Sequence, residues 1–314
     1  MAFEPKTEAF ASSVSSVTIG TGEKTLTLGG NRTLPFYTFD APCENAPKIG
    51  IEIPDRGIEA FAQSGLKAFY DGCKTPAEMA KRAETLVQVS FICLNLESAD
   101  PNGENRSAED CAVLAKQVSE STQLPLVILG CKHVEKDAEI FAKIAELLQG
   151  KNILLLSARE ENYKNIGASV GLAYAQKLGA ESSVDINLAK QLNVMLTQLG
   201  VPSSSIVMNA GSAAAGYGFE YLASTLDRIR LAALGQSDDQ LQMPIITPVS
   251  TECWSVKEAT APECDIPEWG DAQERGIHME IATASACLAG GSDAVILRHP
   301  SAIETVGEMI AALV

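Results

Sequence analysis

A closed barrel of eight parallel strands, each followed by a helix, is the fold this sequence predicts, and three observations carry the prediction. From Lys48 onward a short apolar run followed by an amphipathic stretch recurs about eight times, roughly 33 residues apart, the size of one βα module. The apolar runs are nearly continuous, as in parallel strands buried on both faces. Between them the hydrophobic period changes to that of a helix. With 314 residues, 46% hydrophobic but only 5% aromatic, the chain can bury a large aliphatic core as one barrel-sized unit. The prediction is a TIM (β/α)8 barrel; an open, doubly wound sheet is the alternative, because counting strands does not prove closure.

Residues 1–47 differ from the rest and are expected to form an extension to a barrel at residues 48–314. Residues 16–28 alternate and turn at Thr21-Gly22-Glu23, which predicts a β-hairpin, placed as a plug in the N-terminal end of the barrel. The eight strands are expected at Ile49–Ile53, Val89–Leu96, Leu124–Leu129, Ile153–Leu156, Ser182–Ile186, Ser205–Asn209, Met243–Val249 and Ala294–Arg298. Helical spacing shows at Ile140, Phe141, Ile144, Leu147 and Leu148, and again at Leu188, Leu192, Met195, Leu196 and Leu199. Stop and start signals agree: Gly150 and Gly200 follow helices, Pro76 opens one behind Thr75, and Pro300 opens the last.

Forty acidic side chains against twenty-four basic ones leave a net charge of −16, which excludes general affinity for nucleic acid or anionic lipid. No uncharged apolar run reaches the ~18 residues of a membrane span, and Glu4, Lys6 and Glu8 stand where a secretory leader would be apolar. A cytoplasmic protein is expected. The eight cysteines show no C-x-x-C spacing for metal, redox or iron–sulfur chemistry and read mostly as reduced core residues.

Sites in this fold belong at the C-terminal ends of the strands. There stand Asp55, Asn95, Glu97, Cys131, Lys132, Ser157, Arg159, Asp185, Asn209, Thr247, Ser250, Thr251, Arg298 and His299, mostly neutral amides and hydroxyls. Lys132, the only strand-end candidate for Schiff-base chemistry, lies in a wet-looking segment. His133, His278 and His299 make no metal pattern, and no G-x-S-x-G elbow exists. The glycine-rich stretch Gly211–Gly218 fails both phosphate-binding patterns, because Lys and Ser/Thr do not follow its last glycine and Tyr221 replaces the third glycine of the dinucleotide motif. What remains is a loop of small residues ending at a helix N-terminus, either a ligand approach or a simple connection. The segment from Ser250 to about Asp271 carries Trp254 and Trp269 and reads as a covering segment, or as two tryptophans packed on the rim. A roomy, uncharged mouth without catalytic residues or metal ligands is expected.

Three segments carry a resemblance: Gly29-Gly-Asn-Arg-Thr-Leu-Pro-Phe-Tyr37, Val207-Met-Asn-Ala-Gly-Ser-Ala-Ala-Ala-Gly-Tyr-Gly-Phe-Glu-Tyr221, and the acidic, Cys-bearing loop after Thr247-Pro-Val-Ser250. Over nearly its whole length the chain resembles the small subunit of the corrinoid iron–sulfur protein of the reductive acetyl-CoA (Wood–Ljungdahl) pathway and its counterpart, the delta subunit of acetyl-CoA decarbonylase/synthase. The resemblance implies a heterodimer in which the large subunit carries the [4Fe–4S] cluster and holds a cobamide against the open end of this barrel. It also implies methyl transfer from methyltetrahydrofolate, through a methyltransferase, to the cobalt and on to acetyl-CoA synthase. No cobalamin-binding D-x-H-x-x-G motif occurs in this chain, so the metal centres are expected on the partner. Strand-end position then selects Asn209, Ser212, Tyr217, Thr247, Ser250, Trp254 and Arg298 as the cobamide-facing set, with the neutral side chains meeting the corrin's amide arms and Arg298 a tail phosphate. A neutral mouth suits Co(I), which an acid would quench. Two rivals remain: a pterin-binding barrel that itself methylates a corrinoid through Asp185 and Asn209, and a scaffold that touches no cofactor.

Overall fold

The computed structural model describes residues 6–314. β1 (Val17–Thr21) and β2 (Lys24–Leu28) pair antiparallel, with Thr21 opposite Lys24, so Gly22 and Glu23 alone make the turn. Gly22 takes a left-handed conformation there, as such tight hairpin turns require. The remaining strands are β3 (Lys48–Pro54), β4 (Val89–Asn95), β5 (Leu126–Leu129), β6 (Leu154–Ala158), β7 (Lys177–Glu181), β8 (Ile206–Asn209), β9 (Ile246–Pro248) and β10 (Ala294–Leu297). They pair in the order β8-β7-β6-β5-β4-β3-β10-β9, all parallel, and a bridge between Met208 and Ile245 brings the outer two together. The sheet therefore closes on itself and is not the open alternative.

Helices wrap the ring: α1 (Ser64–Phe69), α2 (Pro76–Ala83), α3 (Ala108–Ser121), α4 (Val134–Leu147), α5 (Tyr163–Ile166), α6 (Ile186–Leu199), α7 (Phe219–Gly235), α8 (Val249–Cys253), α9 (Lys257–Thr260), α10 (Ala272–Gly290) and α11 (Pro300–Leu313). Their starts follow capping chemistry. Thr75, Ser107, Asp185 and Asp271 each accept a backbone N–H of the first turn, and His133 and His299 do so through Nδ1. Two of the three histidines are thus helix caps, and His278 is exposed.

Alternate strand residues divide between two cores. Ile49, Ile51, Ile53, Ile92, Leu94, Val295 and Leu297 face the helices. Phe91, Cys93, Val127, Leu154, Leu156, Val207, Ile246, Ala294 and Ile296 fill the barrel interior together with Val17, Ile19 and Leu28 of the hairpin. The hairpin is anchored at the N-terminal side: Asn152, just before β6, donates to the carbonyls of Thr18 and Gly20 at 2.9 and 3.0 Å. It stoppers that end with apolar side chains. Gly50 is required beside it, because a Cβ there would lie 2.0 Å from the ring of Phe91.

Three expectations are corrected. The fifth barrel strand is Lys177–Glu181 and not Ser182–Ile186; Ser183 and Val184 have φ of 46° and 66°, outside strand geometry, and Asp185 caps α6. Gly179 interrupts the apolar run that would have marked this strand, yet only glycine fits, since a Cβ would meet Leu156 at 2.4 Å. The seventh strand ends at Pro248, and Val249–Cys253 coils into α8. The segment after it is no bare loop: α8, α9 and a 3-10 turn at Pro267–Trp269 occupy most of it.

Phe91→Ala removes a ring from the barrel interior, where it packs against Gly50. We expect a loss of about 3–5 kcal/mol in chemical unfolding, with the fold retained by circular dichroism.

Candidate functional site

Followed toward the C-terminal ends, the inward-facing series leaves its apolar layers and becomes polar: Gly50 leads to Glu52, Phe91 and Cys93 to Asn95, Gly179 to Glu181, Val207 to Asn209, and Ile296 to Arg298. At the centre of this layer Glu52 is fully buried. Its carboxylate accepts from Arg298 Nη2 at 2.8 Å and Nε at 3.3 Å, and from Asn95 Nδ2 at 2.7 Å. Burial pushes the Glu52 pKa up, but the Arg298 charge and these hydrogen bonds outweigh it and hold the carboxyl below its ordinary range. Asn95 also donates to Glu97 Oε1 at 2.9 Å. Burial, then the charge of Glu52, raises the pKa of Glu97.

A cavity of about 250 Å³ opens above this network. Leu129, Leu156 and Pro248 give it apolar walls, and Asn95, Glu97, Ser157, Asn209 and Ser212 bring polar atoms to it. Asn209 donates to Ser157 Oγ at 3.1 Å and accepts the Gly211 N–H at 3.1 Å, which fixes the amide at the loop after β8. At the rim Arg159 pairs with Glu181 at 3.0 Å and Lys132 with Glu252 at 3.1 Å. Cys131 is no nucleophile: burial and the adjacent Asp137 push its thiol up to about 12.

Behind the mouth lies a second buried carboxylate. Glu280 of α10 accepts the backbone N–H groups of Arg298 and His299 at 2.6 and 3.0 Å and so holds the end of β10 against α10. Burial raises its pKa to about 7 despite these bonds. Burial also keeps His299 neutral, lowering its pKa to about 4.

The structure sorts the seven residues expected to face a cofactor. Asn209 and Ser212 line the cavity, and the Ser212 hydroxyl is buried without a partner. Tyr217 is 47% exposed at the rim, where its hydroxyl donates to Glu258 and ties the loop after β8 to α9. Thr247 is displaced because Ile246 is the inward residue of β9; Thr247 turns out and meets Ser292 Oγ at 2.7 Å. Ser250 is buried in α8 next to Glu52. Trp254 packs with Ala259, Ile277 and Ala302, stacks on His299 at 6.0 Å between centroids, and leaves Gly276 no room for a Cβ. Arg298 is committed to Glu52. Trp269 stays 41% exposed under Lys257 and Arg275.

Two further expectations fail here. The mouth is not uncharged, because Glu97, Glu181, Glu252, Lys132 and Arg159 line it; apart from Glu97 these charges are ion-paired. Asp185 is an exposed helix cap bonded to Asn187 and Leu188, so the Asp185–Asn209 pair of the pterin-methylating rival is not assembled. The sequence reading passed over Glu52 and Glu181. A lone acid inside the apolar run Ile49–Ile53 was the available signal for the first; misplacement of β7 hid the second. Among the described residues, no group of three or more His, Cys, Asp or Glu side chains is gathered as a metal site, and no helix is long and apolar enough to cross a membrane.

Fold and mouth define a closed (β/α)8 barrel with a small polar cavity at its C-terminal face. Solved structures of that shape include dihydropteroate synthase from Xanthomonas albilineans (TM-score 0.54, 12% identity, 95% of this chain and 98% of that one) and 7,8-dihydropteroate synthase from Vibrio fischeri (TM-score 0.56, 11% identity, 94% and 97%). At such identities the likeness is one of fold. Sequence is more specific: residues 16–299 match the family model described as CO dehydrogenase/acetyl-CoA synthase delta subunit, and the chain belongs to that family. It is 32% identical to the acetyl-CoA decarbonylase/synthase complex subunit delta of Archaeoglobus fulgidus, over 98% of this chain and 70% of that protein. Against subunit delta 2 of Methanosarcina acetivorans it is 31% identical, over 92% of this chain and 66% of the relative.

Arg298→Met strands the Glu52 charge inside the barrel and is expected to cost about 3–5 kcal/mol in urea unfolding; adding Glu52→Gln to it should recover much of that loss. Glu280 gives a pH signature. Its folded pKa lies above the 4.5 of the free side chain, so its contribution is fully present below pH 4.5 and fades as pH rises to 7. Stability of Glu280→Gln relative to the parent should therefore climb across that window, by on the order of 3 kcal/mol, in unfolding titrations at pH 5 and 8.

Proposed function

We propose that this chain is the metal-free half of a corrinoid iron–sulfur methyl carrier, working within an acetyl-CoA decarbonylase/synthase system in the cytoplasm. Its barrel mouth covers a cobamide that the large subunit holds, and that large subunit also carries the [4Fe–4S] cluster. A methyltetrahydrofolate-dependent methyltransferase supplies the methyl group, and acetyl-CoA synthase receives it. Family membership and the relatives' names support the setting.

The observation that carries the covering role is the Ser212 hydroxyl, buried at the mouth beside Asn209 without a hydrogen-bond partner. A buried polar atom left unpaired costs free energy, and an amide arm of a ligand lying across the opening would supply the missing bond. The fit is to the arms and not to the ring. A cavity of about 250 Å³ is too small for a corrin, so the macrocycle would be held at the mouth and not inside it. Asn209 and Ser212 meet the arms, and Tyr217 stands at the edge; Thr247, Ser250, Trp254 and Arg298 support the wall from behind. When held there, the cobamide would supply the methyl-carrying chemistry, and this chain would contribute shape, hydrogen bonds and the exclusion of water. At the rim Arg159 and Lys132 offset the charges of Glu181 and Glu252.

The test is co-expression with the corrinoid-bearing large subunit. We expect a stable heterodimer with a corrin absorption band, and no corrin or iron–sulfur band from this chain alone. Asn209→Ala and Ser212→Ala should each weaken cobamide retention by roughly fivefold, the worth of one hydrogen bond. Retention unchanged in both variants would leave the chain a scaffold.

A further inference from the structure

Residues 31–47 close a small cavity at the end of the barrel opposite the mouth. We propose that this cavity binds one small monovalent anion, of the size of chloride or formate, which seats the segment on the barrel. Its volume is about 40 Å³, the room of roughly three water-sized spheres, which admits a halide or a three-atom oxyanion and little more. Val14, Leu34, Pro35, Phe36 and Leu288 supply most of the wall. Arg230 of α7 and Asp293, just ahead of β10, are its buried charged members.

Arg230 is only 3% exposed. Its Nε donates to the Gly291 carbonyl at 2.8 Å and its Nη2 to that carbonyl and to Asp293, while Nη1 is buried without a partner among the described residues. Glycine makes this approach possible, because a Cβ at Gly291 would lie 2.5 Å from Arg230 Cγ. A buried guanidinium nitrogen whose N–H groups go unpaired carries a desolvation cost, and a ligand that accepts from it removes that cost.

The other polar groups of the lining say what kind of ligand. Asp293 is held by Arg230 and by the Ile245 N–H at 2.7 Å, Asn31 Oδ1 accepts the N–H groups of Glu44 and Asn45, and Ser292 Oγ is bonded to Thr247 Oγ1. What is left can donate: the N–H groups of Arg230 Nη1, the hydroxyls of Thr33 and Thr38, and the Cys43 thiol, which burial keeps protonated against the opposing charge of Lys48. An anion only accepts, whereas a water in the same place must also find acceptors for its own hydrogens. Charge points the same way. Asp293 offsets Arg230, and Lys48, close enough to Cys43 for its charge to be felt, has no carboxylate within ion-pair distance among the described residues. One added negative charge brings this group to balance.

The site shares no residue with the mouth, so its test uses the full chain alone. Crystals soaked in sodium bromide should show an anomalous peak beside Arg230 Nη1. In solution, thermal midpoints in sodium chloride and in sodium formate are each compared with sodium gluconate, too bulky to enter, at equal ionic strength; the better of the two tells a halide from a small carboxylate. That anion should raise the midpoint saturably, by about 2 °C at about tenfold its dissociation constant. Thr33→Val should shift the response to roughly fivefold higher concentration, the worth of one hydrogen bond, and Arg230→Lys, which keeps the charge but loses Nη1, should abolish it. Because Arg230→Lys also disturbs the Asp293 pair, the decision rests on the bromide peak and on Thr33→Val. An ordered water in place of bromide, a peak without any midpoint response (an adventitious ion only), or a response that Thr33→Val leaves unchanged overturns the proposal.

Discussion

A closed ring of strands has a single interior, and the two-residue alternation of each strand commits every second side chain to it. Most else in this molecule follows from that commitment. At one end the shared space is filled by Phe91 and the hairpin residues Val17, Ile19 and Leu28; at the other the same inward positions fall on Glu52, Asn95, Asn209 and Arg298. A carboxylate that cannot turn away from the interior must be neutralised where it stands, which is why Arg298, Asn95 and Glu52 are joined by short bonds. Arg298 is thereby lost as an anchor for any ligand. The polar side chains that reach the cavity beside this pair are Asn95, Glu97, Ser157, Asn209 and Ser212.

The architecture was largely legible in the sequence because parallel strands announce themselves as apolar runs, and the helical period and capping residues between them agree. β7 was not, because Gly179 breaks its run for the sake of Leu156, and the more apolar-looking Ser182–Ile186 next to it belongs to a turn. The site was legible in its place but only partly in its members. Asn209 and Ser212 follow from strand-end position alone, whereas choosing Thr247 over its neighbour needs the inward parity of β9, and parity is invisible until the register is known. Trp254 illustrates the same limit: an aromatic in a long connection reads equally as a covering residue or as packing, and contact with Gly276 and His299 decides for packing.

Charge is where the sequence reading went furthest astray. Counting strand-end residues singly suggested a neutral opening, but Arg159 with Glu181 and Lys132 with Glu252 make a ring of matched charges that no one-dimensional list reveals. Such a rim differs from a neutral one. The Lys132–Glu252 pair is the more exposed of the two, and the exposed Tyr217, Tyr221 and Trp269 add aromatic area on the adjoining segments. The family assignment places the chain among subunits of a multi-subunit complex.

The hairpin stopper has one more consequence. Because Val17, Ile19 and Leu28 seal the lower end, the barrel is a cup and not a tube, and traffic to the cavity has a single doorway. Anything seated above that doorway governs the escape of whatever lies inside. A surface seated there would shut the cup from solvent on its one open side.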